Sequence, residues 1–380
     1  MNFNPSLVVV HFIKFSTGKS NTASYNRFLH ITKMTSINFP IVIHETRSPN
    51  SFLNQYKLFR GVFWILEFGR IVNRISKDKT NTNRPVLYLF GINLFMAVYL
   101  SLVKQRHKIL LISERNECPV SFMKKRKFLF FLERKLLYPW FYNIFDGYTI
   151  ISDELIKLYS KYVRETVVIK KLMMTVDFNR FRVIGAKTPN FDYIFFSGSL
   201  KSEKDGIDML IKSFDRFSKL YPDVRLLIAG NSGDKDVLTI HKMLKSTNNN
   251  NIILLGMVER EEIPHYLVNA KACVLPRPDS IQARGGFPTK LGEYLASGSP
   301  TIVTNVGEIP ILLNDNEVLF IDKEDIENSL YNKLLIVFND YNSAELTGKN
   351  GRLKAEQLFN LENNAFIIND LITQVIKNKH

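Results

Sequence analysis

A chain of 380 residues with 45% hydrophobic and 23% charged residues holds enough apolar material for two packed cores, which excludes a disordered polypeptide. Its formal charge of +15 is uneven: residues 1–190 carry 30 Lys and Arg against 11 Asp and Glu, whereas residues 191–380 carry 21 against 25. The two cysteines, Cys118 and Cys273, exclude a disulfide framework and have no metal-ligand spacing, which fits a reducing cytosol.

Ser6 to Phe12 reads as a buried strand, followed at once by Thr17-Gly18-Lys19-Ser20. A triphosphate loop needs a glycine five positions before Gly18, and Ile13 stands there, so that motif is rejected. Gly18 and Lys19 keep a lesser expectation, contact with an acceptor or a phosphate. A helix is predicted over 25–34, a strand over 40–44 and an amphipathic helix over 52–77, with Phe59, Phe63, Leu66, Ile71 and Ile75 as core. Pro85 to Val103 is 19 residues without a charge, long enough to span a bilayer. Gly91-Ile92-Asn93 interrupts it, so a buried strand over 86–90 and a buried helix from Leu94 are expected instead. The start of the chain lacks the cationic opening and apolar core of a secretory leader, and a cytoplasmic protein is expected.

The strand predicted over 108–112 runs into Ser113-Glu114-Arg115. Charged residues at the carboxyl end of a buried strand face ligands, which makes Glu114 and Arg115 catalytic candidates. A solvated loop with a local ion pair fits the same residues. Between Ser121 and Tyr142 the run Lys124-Lys125-Arg126-Lys127 adjoins Phe128, Phe130, Phe131, Leu136, Leu137 and Trp140. That mixture suits a helix lying on an anionic membrane surface, peripheral at the inner face, and equally a surface helix packed on the sheet. Strands over 147–152 and 167–173, with a helix from Asp153 between them, complete an alternating pattern that predicts a parallel α/β sheet. The charge shift and Thr188-Pro189-Asn190 put a domain boundary at about residue 185.

The second half repeats that logic. Strands are predicted over 193–197, 225–229, 251–255 and 272–275, and helices over 207–220 and 262–269. The first three strands each end in glycine, Gly198, Gly230 and Gly256, where backbone can approach a ligand. Gly285 to Pro300 then reads as a glycine-loosened loop opening into a short helix that stops at Gly298. The helix start would face an anion, and Glu293 one turn in could accept hydroxyls of the same ligand. An anion beside a diol describes a nucleotide.

The order Phe196-Ser197-Gly198-Ser199-Leu200, Lys204-Asp205-Gly206, Leu227-Ile228-Ala229-Gly230, Leu255-Gly256-Met257-Val258 and Gly286-Phe287-Pro288-Thr289-Lys290-Leu291-Gly292-Glu293 resembles glycosyltransferase family 4, the retaining group 1 enzymes. Ile150-Ile151-Ser152 and Val176-Asp177-Phe178-Asn179-Arg180-Phe181 are similar to further family landmarks. The resemblance implies an α/β protein of GT-B fold, two Rossmann-like domains with mostly parallel sheets facing a cleft. It places an acceptor domain at 1–185, a nucleotide-sugar domain at 186–358, and a final helix within 359–380 crossing back to the first domain.

The same resemblance assigns roles. Glu293 matches the second glutamate of the family's E-x7-E motif, which binds the ribose hydroxyls; each charge-assisted bond there is worth about 1.5–3 kcal/mol. As an ordinary first-turn glutamate it would gain only about 0.3–1 kcal/mol from the helix dipole. Lys204 matches the lysine that grips the donor diphosphate. Gly198, Ser199, Gly256, Val258, Gly286, Phe287, Pro288, Thr289 and Lys290 fall in the nucleotide-sugar segments. Three departures stand out: Gly285 replaces the first motif glutamate, Ser199 replaces a phosphate-binding arginine, and Ser113-Glu114-Arg115 lacks the first-domain histidine. Arg277, Arg284 or Lys290 is expected to supply the missing cation.

The implied reaction moves a sugar from a nucleotide-diphosphate sugar to an acceptor hydroxyl with retention, in polysaccharide or glycoconjugate assembly. A saccharide or lipid-linked saccharide is the expected acceptor, with no cofactor and no obligatory metal. A nucleotide-sugar epimerase, or a non-enzymatic membrane- or nucleic-acid-binding protein, stays as the alternative. No helix-turn-helix or zinc-finger pattern supports nucleic acid as a partner.

Overall fold

The computed structural model describes residues 7–12, 23–37, 41–46, 65–66, 68–73, 85–90, 92, 94–119, 131–182, 189–231 and 234–378. The chain divides into two compact units, Met1–Met173 with Leu361–His380, and Met174–Asn360.

The first unit holds strands β1 (Leu7–Phe12), β2 (Ile41–Thr46), β3 (Val86–Phe90), β4 (Leu110–Arg115), β5 (Gly147–Ile150) and β6 (Val168–Lys171). They form one parallel sheet in the order β2-β1-β3-β4-β5-β6. Helices α1 (Ala23–Ser36), α2 (Leu94–His107), α3 (Tyr138–Tyr142) and α4 (Asp153–Tyr159) lie between strands, and a π turn over Glu133–Leu137 leads into α3. The uncharged stretch 85–103 is thus β3, buried at every residue, followed by α2. Among the described residues no helix is long and apolar enough to cross a membrane.

The C-terminal helix Ala365–Lys377 belongs to this unit: Ile368, Leu371, Ile372 and Val375 enter the core of Phe28, Ile31, Met34, Val86 and Tyr88. It packs on β5, where Gly147 leaves room for Val375 and Leu371, and Lys170 of β6 pairs with Asp370 at 2.5 Å. The unit boundary at 173/174 falls before the expected residue 185. The reason is the segment after it: Val176 N–H donates to Phe359 O at 2.7 Å, and Phe178 and Phe181 are buried in the second unit. The segment is committed to its new core well before Thr188-Pro189.

The second unit holds β7 (Tyr193–Ser197), α5 (Ser202–Asp205), α6 (Ile207–Ser218), β8 (Arg225–Ala229), α7 (Asp234–Thr247), β9 (Ile252–Gly256), α8 (Ile263–Val268) and β10 (Ala272–Leu275). It continues through α9 (Ile281–Gly285), α10 (Thr289–Ser297), β11 (Thr301–Thr304), α11 (Ile309–Leu312), β12 (Leu319–Ile321), α12 (Ile326–Asn339) and α13 (Tyr341–Phe359). The six strands are parallel in the order β12-β11-β10-β7-β8-β9. Numbered from β7, that order is the 3-2-1-4-5-6 of a Rossmann sheet, and its direction reverses between β7 and β10. Ile207, Leu210, Ile211, Phe214 and Phe217 form the buried stripe of α6 that covers one face of this sheet.

Candidate functional site

The carboxyl ends of β7 and β10 flank the crevice where an open α/β sheet takes ligands. Two short helices and one longer one deliver side chains there. Residues 281–285 form helix α9, which takes in Gly285, expected as loop; it is begun by Ser280, whose Oγ accepts from Ala283 N at 3.0 Å. Gly286 then breaks out into extended backbone, and α10 starts after Pro288 with no side chain capping it. Uncapped first-turn amides and the positive end of the dipole face outward from such a start. Tyr294, fully buried, pins α10 to the last residue of β7: its hydroxyl accepts from Ser197 N at 2.8 Å and donates to Ser197 O at 3.1 Å.

This anchoring aims Lys290 at the loop after β7. Its Nζ donates to Asp205 Oδ2 at 2.7 Å, and the same oxygen accepts from Ser199 N at 3.0 Å. The ammonium lies so close over Gly198 that a Cβ there would be 2.0 Å from Nζ. Gly198 is therefore required by the approach of a side chain, not by its own backbone angles. Gly206 has the other kind of constraint: φ is +67°, and a Cβ would meet Pro276 O at 1.9 Å. The loops after β7 and β10 are thereby clamped together. Burial lowers the Lys290 pKa, with Arg277 and Lys204 pushing the same way and Asp205 opposing. Arg277, buried just after β10, and half-buried Lys204 thus belong to one positive cluster with Lys290.

Three residues further along α10, Glu293 is partly exposed and its Oε1 accepts from Arg180 Nη1 at 2.5 Å. Gly256 closes β9, exposed, and half-buried Val258 follows it. Phe287 and Pro288 are buried, Phe287 against Phe359, while Thr289 is half-buried at the helix start. Ser199 contributes its backbone N–H, and Gly285 is buried at the end of α9.

Three candidates are held by other partners. Arg284 is exposed and paired with Asp279 at 3.2 Å, so the cation at Gly198 is Lys290. Glu114 and Arg115 are not loop residues: β4 extends through them, pairing with Thr149 and Ile150. Glu114 is buried against Arg27, whose Nε donates to Oε1 at 2.5 Å while Nη1 and Nη2 donate to the carbonyls of Met173 and Leu172. Burial raises its pKa and Arg27 opposes the shift. The pair ties α1 and β4 to the strand exit of β6, which is a structural job. Arg115 sits among Phe141, Tyr142, Phe145 and Tyr148, its guanidinium carbon 5.2–5.7 Å from their ring centres, and it too is committed to packing. Gly18, Lys19 and residues 121–130 lie outside the described residues. Among the described residues no group of three or more His, Cys, Asp or Glu is arranged to hold a metal.

The sequence alone assigns Arg180 no role, although its segment is similar to a family landmark. Its only signal was a basic residue inside the Asp177-capped turn Phe178–Phe181, where Asp177 Oδ1 accepts from Asn179 N at 3.2 Å.

Comparison with known proteins bears on the family and the fold. The profile of the family described as "Glycosyl transferases group 1" matches residues 177–354, which covers nearly all of the second unit. TuaH of Bacillus subtilis (strain 168), named as a teichuronic acid biosynthesis glycosyltransferase, is 27% identical over 111 residues. Those residues are 29% of this chain and 26% of TuaH, so the match spans about a quarter of that relative. Among solved structures, sucrose-phosphate synthase from Thermosynechococcus elongatus superposes with a TM-score of 0.73 at 14% identity, over 97% of this chain and 99% of its own. Anabaena Alr3699/HepE in complex with UDP gives 0.70 at 12% identity, over 97% and 99%. A glycosyltransferase from Rickettsia africae ESF-5 gives 0.71 at 13% identity, over 99% and 100%. Likeness along the whole chain establishes the GT-B fold.

Proposed function

We infer that this chain, whose residues 177–354 belong to the group 1 glycosyl transferases, moves a sugar from a nucleoside-diphosphate sugar to an acceptor hydroxyl with retention of anomeric configuration. The observation that carries the reading is the pair on α10. Lys290 points its ammonium at the loop after β7, and Glu293, one turn on, keeps a partly exposed carboxylate. A cation followed by a diol acceptor along one helix suits the diphosphate and ribose of one nucleotide. Lys290 takes the part of the arginine that Ser199 replaces, and Lys204 and Arg277 add charge to the same place.

In the proposed reaction the bond from the sugar's anomeric carbon to the diphosphate oxygen breaks, and its electron pair leaves with the phosphate. The acceptor oxygen bonds that carbon on the same face, and its proton goes to the departing phosphate oxygen. Lys290, Lys204 and the start of α10 stabilise the growing negative charge. A uridine nucleotide is favoured by the UDP in the Anabaena structures. Polysaccharide or glycoconjugate assembly is favoured by the TuaH match.

The acceptor reading rests on the basic first unit. Phe131, Leu136 and Trp140 are exposed beside Arg134 and Lys135, which suits a saccharide carried on lipid at an anionic membrane surface. The test is transfer from UDP-, GDP- and ADP-linked sugars to a lipid-linked saccharide, with the product's anomeric configuration read by NMR. An α-linked donor giving a β-linked product, or release of sugar to water only, overturns the proposal.

A further inference from the structure

Glu293 is not held by its own helix alone. Arg180 splits its guanidinium between two segments: Nη1 donates to Glu293 Oε1 and Nη2 to the carbonyl of Arg260, both at 2.5 Å. The planar fork of an arginine fixes the separation of its two acceptors, which a lysine or an amide cannot do. Arg180 is itself presented rigidly. It lies in the turn Phe178–Phe181, with Asp177 capping the start, the Phe178 and Phe181 side chains buried, and Val176 bonded to Phe359 O. Its side chain is only 14% exposed, against 23% for Glu293. Arg260 follows Gly256 to Val258 at the β9 exit, which by the family resemblance lines the base. Burial and Arg180 lower its pKa, while Glu293, Glu261 and Asp177 oppose the shift.

We propose that Arg180 is the positioning residue of the ribose subsite: it engages Oε1 of Glu293, turns Oε2 toward the nucleotide's diol, and couples that carboxylate to the base-side loop at Arg260. This rests on the reading of Glu293 as the ribose acceptor. Three consequences follow. The diol is read by a carboxylate in one fixed rotamer. The β9 exit cannot shift without moving the carboxylate. The charge of Glu293 is compensated before the nucleotide arrives, so its desolvation on binding costs little.

The experiment is a thermodynamic cycle in which the ligand supplies one of the changes. UDP and 2′,3′-dideoxy-UDP are titrated calorimetrically into the wild type, Glu293→Gln, Arg180→Ala and Arg180→Lys. Loss of one or two charge-assisted bonds predicts that wild type prefers UDP by about ten- to a hundredfold. Glu293→Gln should bring that preference close to unity. Arg180→Ala should cut it at least about fivefold by weakening UDP while leaving dideoxy-UDP unchanged, and Arg180→Lys should restore part of it. If Arg180→Ala weakens both ligands equally, or keeps the full preference while Glu293→Gln loses it, Arg180 does not position the carboxylate and the inference fails alone. If Glu293→Gln keeps the preference, the ribose assignment fails and takes the inference with it. Should Arg180→Ala not fold, Arg180→Gln, which keeps one donor, carries the same comparison.

Discussion

Gly198→Ala separates the site from the fold. A Cβ at 198 would be 2.0 Å from Lys290 Nζ and 3.2 Å from Asp205 Oδ2, while the backbone φ of Gly198 lies outside the left-handed range. The first obstacle is the far end of a flexible side chain, so the ammonium yields, retreating from 2.0 to at least 3.4 Å, or 1.4 Å. Moving it from 2.7 Å to about 4.1 Å from a unit negative charge, at an effective dielectric of about 20, changes the attraction from about 6 to about 4 kcal/mol. A diphosphate charge held by the same ammonium loses a similar 2 kcal/mol, or about thirtyfold in affinity. Folding should suffer less, because Asp205 keeps the Ser199 N–H and can follow the ammonium. Isothermal titration with UDP and calorimetric unfolding give the two numbers. Gly230→Ala is the control: its Cβ would meet the backbone oxygen of Gly198 at 1.9 Å at a φ of +139°, which should destabilise the unit by several kcal/mol. UDP affinity in Gly198→Ala equal to wild type would refute the placement of Lys290.

Lys290→Arg tests the charge directly: as pH rises through the lowered Lys290 pKa the wild-type ammonium is lost, so kcat/KM for the donor falls at a pH below the ordinary lysine range, whereas the arginine variant shows no such limb. Arg27→Ala leaves a buried carboxylate uncompensated, and urea unfolding of the first unit should show a loss of about 3–5 kcal/mol, largely recovered by adding Glu114→Gln. Cys118 and Cys273 are both buried with thiol pKa values raised by burial, so neither should react with Ellman's reagent at neutral pH until the protein unfolds.

What could be read in the sequence follows the range of the interactions involved. Strands β7 to β10 were legible because each is a short apolar run bounded by Gly or Pro, a local pattern. The α10 start was legible for the same reason, with Pro288 before it and Gly298 after it. Helix α9 is hard to read locally: it is five residues long, carries one cap at Ser280 and runs into the glycines at 285 and 286. The run Ser113-Glu114-Arg115 looked like a polar loop. What keeps it in a strand is a partner for Glu114 at residue 27 and an aromatic cage for Arg115 formed by residues 141–148, both remote in sequence. The choice among Arg277, Arg284 and Lys290 was likewise beyond local pattern. All three lie within fourteen positions, and only Asp205, 85 residues from Lys290, distinguishes them. Composition changes near residue 185, but backbone pairing between Val176 and Asn360 sets the unit boundary earlier.

The most direct measurement is a calorimetric titration of UDP into wild type, Lys290→Met and Glu293→Gln. Saturable binding to the wild type, weakened about ten- to a hundredfold in each variant with the folded state intact, is the predicted result. Variants that bind UDP as the wild type does, with the diphosphate and ribose contacts both removed, would contradict the placement of a nucleotide-sugar site on this helix.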